Sequence, residues 1–221
     1  MLLTSIPTIS AAFMPREIVT VSVGQAGNQL GRTFWSLALH EHASFSSSNA
    51  TPSSASTGAP MYDDSMSTFF RNVSPLNSDL QPGTAIHDLK ARSVCVDTEG
   101  GVLESTMRGP LRDLFQPDQV FLAGAAGASG AGNNWAHGHY GYGSRHGDAF
   151  LECLRRQTER CDSLQSFFLL HSLGGGTGSG LGTRLLGMLE DEYGGVYRFA
   201  ASVFPQEGGG DVVTGDYNAV S

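Results

Sequence analysis

The 221-residue sequence has a single lysine, Lys90, and only three cysteines. It also has no apolar run near the ~20 residues that a membrane helix needs. The lone lysine follows Leu89, so the GxxxxGK[ST] phosphate loop is absent. No Gly-x-Gly is followed by a glycine three places on, which removes the dinucleotide fingerprint as well. Cys95, Cys153 and Cys161 form no CxxC pair, and so sparse and odd a set fits a reducing compartment better than a disulfide scaffold. Lys and Arg together number 13 against 21 Asp and Glu, a formal charge of −8. That balance argues against nucleic acid, whose phosphates are bound by clustered basic residues. Residues 1–15 carry no basic residue before Arg16 and are interrupted by Pro7, a poor signal peptide. The expectation is a soluble cytosolic protein with a disordered extension over residues 1–15 and neither membrane nor nucleic acid among its partners.

What the sequence has in excess is glycine, 29 of 221 residues, and its placement is informative. Residues 17–23 alternate and are rich in β-branched side chains, the pattern of a strand. They run straight into Gly24-Gln25-Ala26-Gly27-Asn28-Gln29 and then a helical pattern. There Leu30, Phe34, Leu37 and Ala38 fall at the spacing of one buried helix face. Residues 43–62 hold no charge and are dominated by Ser, Ala, Thr and Pro. Such a stretch buries too little apolar surface to offset its ordering entropy, so a disordered insertion is expected there.

Residues 93–97 read as a short buried strand ending on acids, Asp97 and Glu99, and residues 119–122 as another. Residues 124–147, with eight glycines, read as a long loop. Phe150, Leu151, Leu154 and Thr158 then mark a helix, and residues 165–172 a strand with an apolar centre. Next comes Gly174-Gly175-Gly176-Thr177-Gly178-Ser179-Gly180, a helix with Leu181, Leu185, Met188 and Leu189 on one side, and a strand over residues 196–204. Strands alternating with helices specify an α/β fold, a Rossmann-like three-layer sandwich with a mainly parallel sheet. Ligands of such sheets sit at the carboxyl ends of the strands, where these loops gather.

The run from Gly174 is the sharpest of these signals. A strand, a glycine-rich turn and a helix start bring several backbone N–H groups to one point, an anion site for which phosphate is the usual ligand. A side chain at Gly176 is expected to intrude where the ligand's oxygens approach. The Gly24–Gln29 turn, at the end of an adjacent strand, forms a second wall of the same pocket. Asp97 and Glu99, after another strand, would add carboxylates near the phosphates, and carboxylate plus phosphate is how Mg²⁺ is generally held. His137, His139 and His146 invite a zinc reading, but no carboxylate or thiol lies at helical spacing with them, and a loop would give them no rigid support.

Taken together these residues resemble the tubulin family. Gly174 to Gly180 is similar to the family's signature loop, and Gly24-Gln25 with Gly27-Asn28-Gln29 to its first phosphate loop. Gly132-Asn133-Asn134-Trp135-Ala136 with Gly138-His139-Tyr140 resembles the loop that faces the terminal phosphate. The glycine loop alone is shared with the bacterial division-ring GTPase. Within the family, Phe34-Trp35, Phe69-Phe70-Arg71-Asn72-Val73, Leu89-Lys90-Ala91-Arg92 and Gly109-Pro110-Leu111-Arg112-Asp113 look most like the epsilon class.

The resemblance implies a GTP-binding domain over residues 16–221 that holds GTP or GDP with Mg²⁺. Gln25 and Ala26 would lie at the β-phosphate and magnesium, and Asp97 and Glu99 would hold magnesium-bound water. Ala131, Gly132 and Asn133 would meet the γ-phosphate, Ser172, Gly175, Gly176, Thr177 and Gly178 would wrap the phosphates, and Asp211 would reach the ribose. It further implies a cytoskeletal protein of the microtubule, centriole and basal body, with other tubulin subunits or microtubule ends as partners. The alternative is a stand-alone guanine-nucleotide hydrolase or switch that does not polymerise. The family's water-activating acid lies in a second half beyond residue 221, so nucleotide binding with little turnover is expected.

Overall fold

The computed structural model describes residues 16–48, 60–124 and 130–205. Strand β1 (Glu17–Val23) leads into helix α1 (Gly24–Ser48). Helix α2 (Asp64–Ser67) precedes strands β2 (Phe70–Val73), β3 (Asp79–Leu80), β4 (Asp88–Ala91) and β5 (Ser93–Asp97). Helix α3 (Gly100–Arg108), strand β6 (Val120–Leu122), a π-helical turn (His137–Tyr142) and helix α4 (Gly143–Thr158) follow. The described chain closes with β7 (Leu164–Ser172), a second π-helical turn (Gly176–Leu181), α5 (Gly182–Glu192) and β8 (Tyr197–Val203).

Among the described residues five strands form one sheet in the order β6-β5-β1-β7-β8, every neighbouring pair parallel. The chain leaves β1 toward β5 and β6 on one side and returns to β7 and β8 on the other. That reversal opens a crevice at the carboxyl ends of the central strands. The mainly parallel α/β sandwich expected from the sequence is thus the observed fold. A small antiparallel sheet, β3-β2-β4, stands beside it and has no counterpart in the sequence reading.

Strand periodicity sorts the side chains between two cores. Val19, Val21 and Val23, with Val94, Val96, Phe167 and Leu169, face one way and pack against Phe150 and Leu154 of α4 and Leu185 and Leu189 of α5. The opposite core gathers Trp35, Phe70, Cys95, Leu103, Leu114 and Phe115. Trp35 is 1% exposed, and its ring meets Phe34, Phe70 and Phe115 edge to face.

The buried face of α1 differs from the one expected. Leu30 is 38% and Leu37 58% exposed; the buried positions are Gly24, Gly27, Asn28, Gly31 and Trp35. The reason is a close approach to the sheet. A Cβ at Gly27 would stand 2.2 Å from the Leu170 carbonyl oxygen, and one at Gly31 2.5 Å from Ser22 Oγ. Counting apolar residues missed a packing surface made of glycine.

Two further expectations are corrected. The uncharged stretch over 43–62 is not wholly unstructured: α1 continues to Ser48, and Tyr62 is 2% exposed with its hydroxyl donating to the Phe70 carbonyl at 2.8 Å. Residues 49–59 of that stretch, and residues 1–15, lie outside the described residues. Residues 125–129 of the expected loop over 124–147 lie outside the described residues, and the loop becomes helical from Trp135 onward, because Gly138 and Gly143 let this turn lie against the Gly176 carbonyl and Arg184. Among the described residues no helix is long and apolar enough to cross a membrane.

Candidate functional site

At the carboxyl ends of β1, β5 and β7 lies a cavity of about 620 Å³, within the range of small-molecule sites. The first turn of α1 supplies Gly24, Gln25 and Ala26 to its wall. Asp97 ends β5, Glu99 follows it, and Gly101 and Val102 open α3. Ala131, Gly132 and Asn133 close another side, and Ser172 with Gly175 to Gly178 completes the ring. Every site residue expected from the sequence lines this one cavity except Asp211, which lies outside the described residues.

Three helical segments therefore begin at the same cavity. Neither α3 nor the turn opening at Gly176 has a side chain capping its first N–H groups. Those donors are left for a ligand, and each helix end favours a negative group by ~0.3–1 kcal/mol. The wall across from them is bent by left-handed backbone at Gly130, Gly132 and Asn133, with φ of +67°, +58° and +54°. Gly24 is required on two counts: its φ is +73°, and a Cβ there would stand 3.0 Å from the Gly178 nitrogen.

Gly176 does not play the part expected of it. A Cβ there would stand 2.5 Å from the Asn134 nitrogen and 2.9 Å from the Ala131 Cβ, so it points into the neighbouring loop. Its smallness locks the glycine loop onto the 131–134 turn and does not clear space for the ligand. Substituting valine would disrupt loop packing before it touched a phosphate.

The electrostatics of the lining are one-sided. Among the described residues that form the wall there is no Lys, Arg or His; the ionisable groups are Asp97 and Glu99. Asp97 is 3% exposed, and burial raises its pKa while N–H bonds from Thr98 at 2.8 Å and Glu99 at 3.4 Å oppose the rise. Glu99 is exposed and passes over Gly130, where a Cβ would strike its carboxylate. Asn28 fixes the floor, its side-chain amide donating to the carbonyls of Gly24 and Val96, each at 2.9 Å.

A polyphosphate fits these donors. Its oxygens would meet uncapped helix starts, and its remaining charge requires a cation, for which an oxygen-only pair of carboxylates is the appropriate donor set. Sequence reasoning missed α3 and its contribution through Gly101 and Val102. The signal was present in Gly100-Gly101 followed by buried Leu103 and Thr106. It also missed Thr98, which bonds to Thr177 behind the wall, whereas Gln29, the last residue of the expected Gly24–Gln29 turn, does line it. His137 and His139 sit on a π-helical turn and His146 on α4, so they do have rigid supports. His139 stacks on Trp135 at 4.4 Å. Among the described residues no three His, Cys, Asp or Glu form a metal-binding group.

A parallel α/β sheet whose phosphate-type cavity is built from a GGGTGSG loop and a GQAGNQ turn defines a GTPase domain of the tubulin/FtsZ kind. The sequence model of the Tubulin/FtsZ family, GTPase domain, matches residues 17–221, and the chain belongs to that family. It is 46% identical over 208 residues to the tubulin epsilon chains of Homo sapiens and of Mus musculus. Each match covers 92% of this chain and 40% of the relative. It is 38% identical over 204 residues to the tubulin beta-6 chain of Gossypium hirsutum, 92% of this chain and 41% of that one. The chain thus spans about two fifths of the length of these relatives.

Proposed function

We propose that this chain binds guanine nucleotide as the nucleotide-holding part of a tubulin-like cytoskeletal protein. The observation that carries the reading is the convergence of three uncharged helix starts and two carboxylates on one cavity with no cationic side chain among the described residues of its wall. In this reading Gln25 and Ala26 lie at the β-phosphate, and Ala131, Gly132 and Asn133 at the γ-phosphate. Ser172 and Gly175 to Gly178 wrap the phosphates, and Asp211 reaches the ribose. Asp97 and Glu99 would hold a Mg²⁺ ion through its water, and that ion would supply the charge neutralisation that no described side chain of the wall provides. The partners are other tubulin subunits or microtubule ends. The place of action is the cytoplasmic cytoskeleton, with centrioles and basal bodies the finer location that the epsilon likeness favours.

Turnover by this chain is slow. With Mg²⁺ bound, Asp97 and Glu99 would hold the cation's water, and a carboxylate so held cannot also stand in line behind the terminal phosphate. With both carboxylates so held, no further acid or base among the described wall residues activates the attacking water, which leaves half a mechanism, as in GTPases completed by a partner's residue. Titration with fluorescent GTP and ATP analogues, followed by phosphate release under saturating GTP and Mg²⁺, tests both statements. Tight GTP-selective binding with turnover far below ~1 s⁻¹ is expected. Equal affinity for ATP, or turnover near that rate, contradicts the reading.

A further inference from the structure

The hydroxyls of Thr98 and Thr177 lie 2.6 Å apart, joining the end of β5 to the glycine loop across 79 residues of chain. Thr98 is fully buried, and its N–H donates to Asp97 Oδ1 at 2.8 Å. Thr177 lines the cavity and Thr98 does not. The other hydroxyl of the glycine run, Ser179, is fully buried and turned onto the Gly175 carbonyl. Thr177 is therefore the hydroxyl of that run that a ligand in the cavity can meet.

Two touching hydroxyls share one proton between them, so one must donate and the other accept. A phosphate oxygen can only accept. Once one sits in the cavity, Thr177 donates to it, and Thr98 must then donate to Thr177. The result is a directed chain, Thr98 to Thr177 to phosphate, in which each bond polarises the next. We propose that Thr98 is a positioning residue for the phosphate ligand, acting through Thr177 by holding its hydroxyl proton toward the cavity. This rests on the phosphate reading of the cavity given above. Because Thr98 also carries the N–H that fixes Asp97, the same residue ties the acidic arm to the glycine loop.

The test uses the 221-residue chain and four variants: Thr98→Val, Thr98→Ser, Thr177→Val and the double valine variant. GDP affinity is measured by competition against a fluorescent analogue in Mg²⁺ buffer, with melting temperature recorded without nucleotide. Valine matches threonine in shape and removes only the hydroxyl. Thr98→Val is expected to weaken GDP about three- to tenfold, the worth of one hydrogen bond, with the melting temperature held. Thr98→Ser, which keeps the donor, should stay within about twofold of wild type. The double variant should bind no worse than Thr177→Val alone, the signature of residues acting in series. A wild type that binds GDP beside a Thr98→Val equal to it overturns the proposal alone. So does a Thr98→Ser that loses as much as Thr98→Val, or losses that multiply in the double variant. A wild type that binds no guanine nucleotide overturns the phosphate reading and the proposal together.

Discussion

The carboxylate of Glu17 and the guanidinium of Arg92 meet at 2.5 Å with side chains 1% and 7% exposed. Arg92 also donates through Nε to the Ser67 carbonyl at 3.0 Å and through Nη1 to the Arg160 carbonyl at 2.9 Å. Glu17 Oε2 accepts from the Ser163 N–H at 2.7 Å. One ion pair thus pins the start of β1, the end of α2, the link between β4 and β5, and the turn before β7. It lies at the amino ends of the strands, opposite the cavity. Burial raises the Glu17 pKa even though Arg92 pulls it down. The pair is a buried clamp whose formation costs desolvation.

Arg92→Met should therefore destabilise the chain by about 3–5 kcal/mol, because it leaves a buried charge without its partner. Adding Glu17→Gln should recover part of that loss by removing the stranded charge. Urea unfolding of the two variants checks the order. A single variant within about 0.5 kcal/mol of wild type, as for an ordinary surface change, would contradict the clamp.

Asp97 makes the second prediction, through pH. Burial holds its carboxyl above the ordinary value of 3.8 in the folded chain. The folded state then binds its proton more tightly than the unfolded state does. Its contribution to stability is full at low pH and is lost as pH rises through the raised folded value. Asp97→Asn keeps an acceptor for the Thr98 N–H and deletes the charge. It should melt higher than wild type at neutral pH without nucleotide, with a flatter dependence on pH. It should also lose roughly 10–100-fold of the Mg²⁺-dependent gain in GTP affinity, the usual cost of removing a group that orients a metal's shell. Lower stability with unchanged Mg²⁺ dependence would show that Asp97 is structural.

Gly24 and Gly187 form a contrasting pair. Gly24→Ala places a Cβ at φ +73° and 3.0 Å from the Gly178 nitrogen. It should cost at least ~1–2 kcal/mol of stability from left-handed backbone alone and weaken nucleotide binding by displacing the glycine loop. Gly187→Ala, on α5, meets nothing within 4 Å and should stabilise the chain by ~1 kcal/mol. Thermal melts and a GTP titration of both variants separate the two outcomes.

What could be read from the sequence follows from which physical signals are local. Strand β1, the 174–180 loop and α5 were visible because period, glycine and helix start stand next to one another in the chain. The two glycine-rich walls and the acids Asp97 and Glu99 were legible because each follows a strand, and parallel strands deliver their carboxyl ends to one edge, whereas Ala131, Gly132 and Asn133 were reached only through the family resemblance. Long-range approach was not legible. The buried face of α1 depends on how close Leu170 and Ser22 come to Gly27 and Gly31, which no single segment encodes. The Gly138 turn is helical because it packs on the Gly176 carbonyl, and locally it reads as a glycine loop. Tyr62, at the end of an uncharged tract, is buried by a partner in β2, and composition is blind to such a partner. The Thr98–Thr177 contact joins two loops that each read as functional, but neither segment alone shows that the two hydroxyls meet.

Whether this cavity holds guanine nucleotide is decided by purifying the 221-residue chain, releasing its bound small molecules with acid and identifying them by chromatography. GDP or GTP is expected at close to one per chain, removed together with Mg²⁺ by a chelator. Recovery of adenine nucleotide, or of none from a chain that is folded and still fails to take up added GTP, would contradict it.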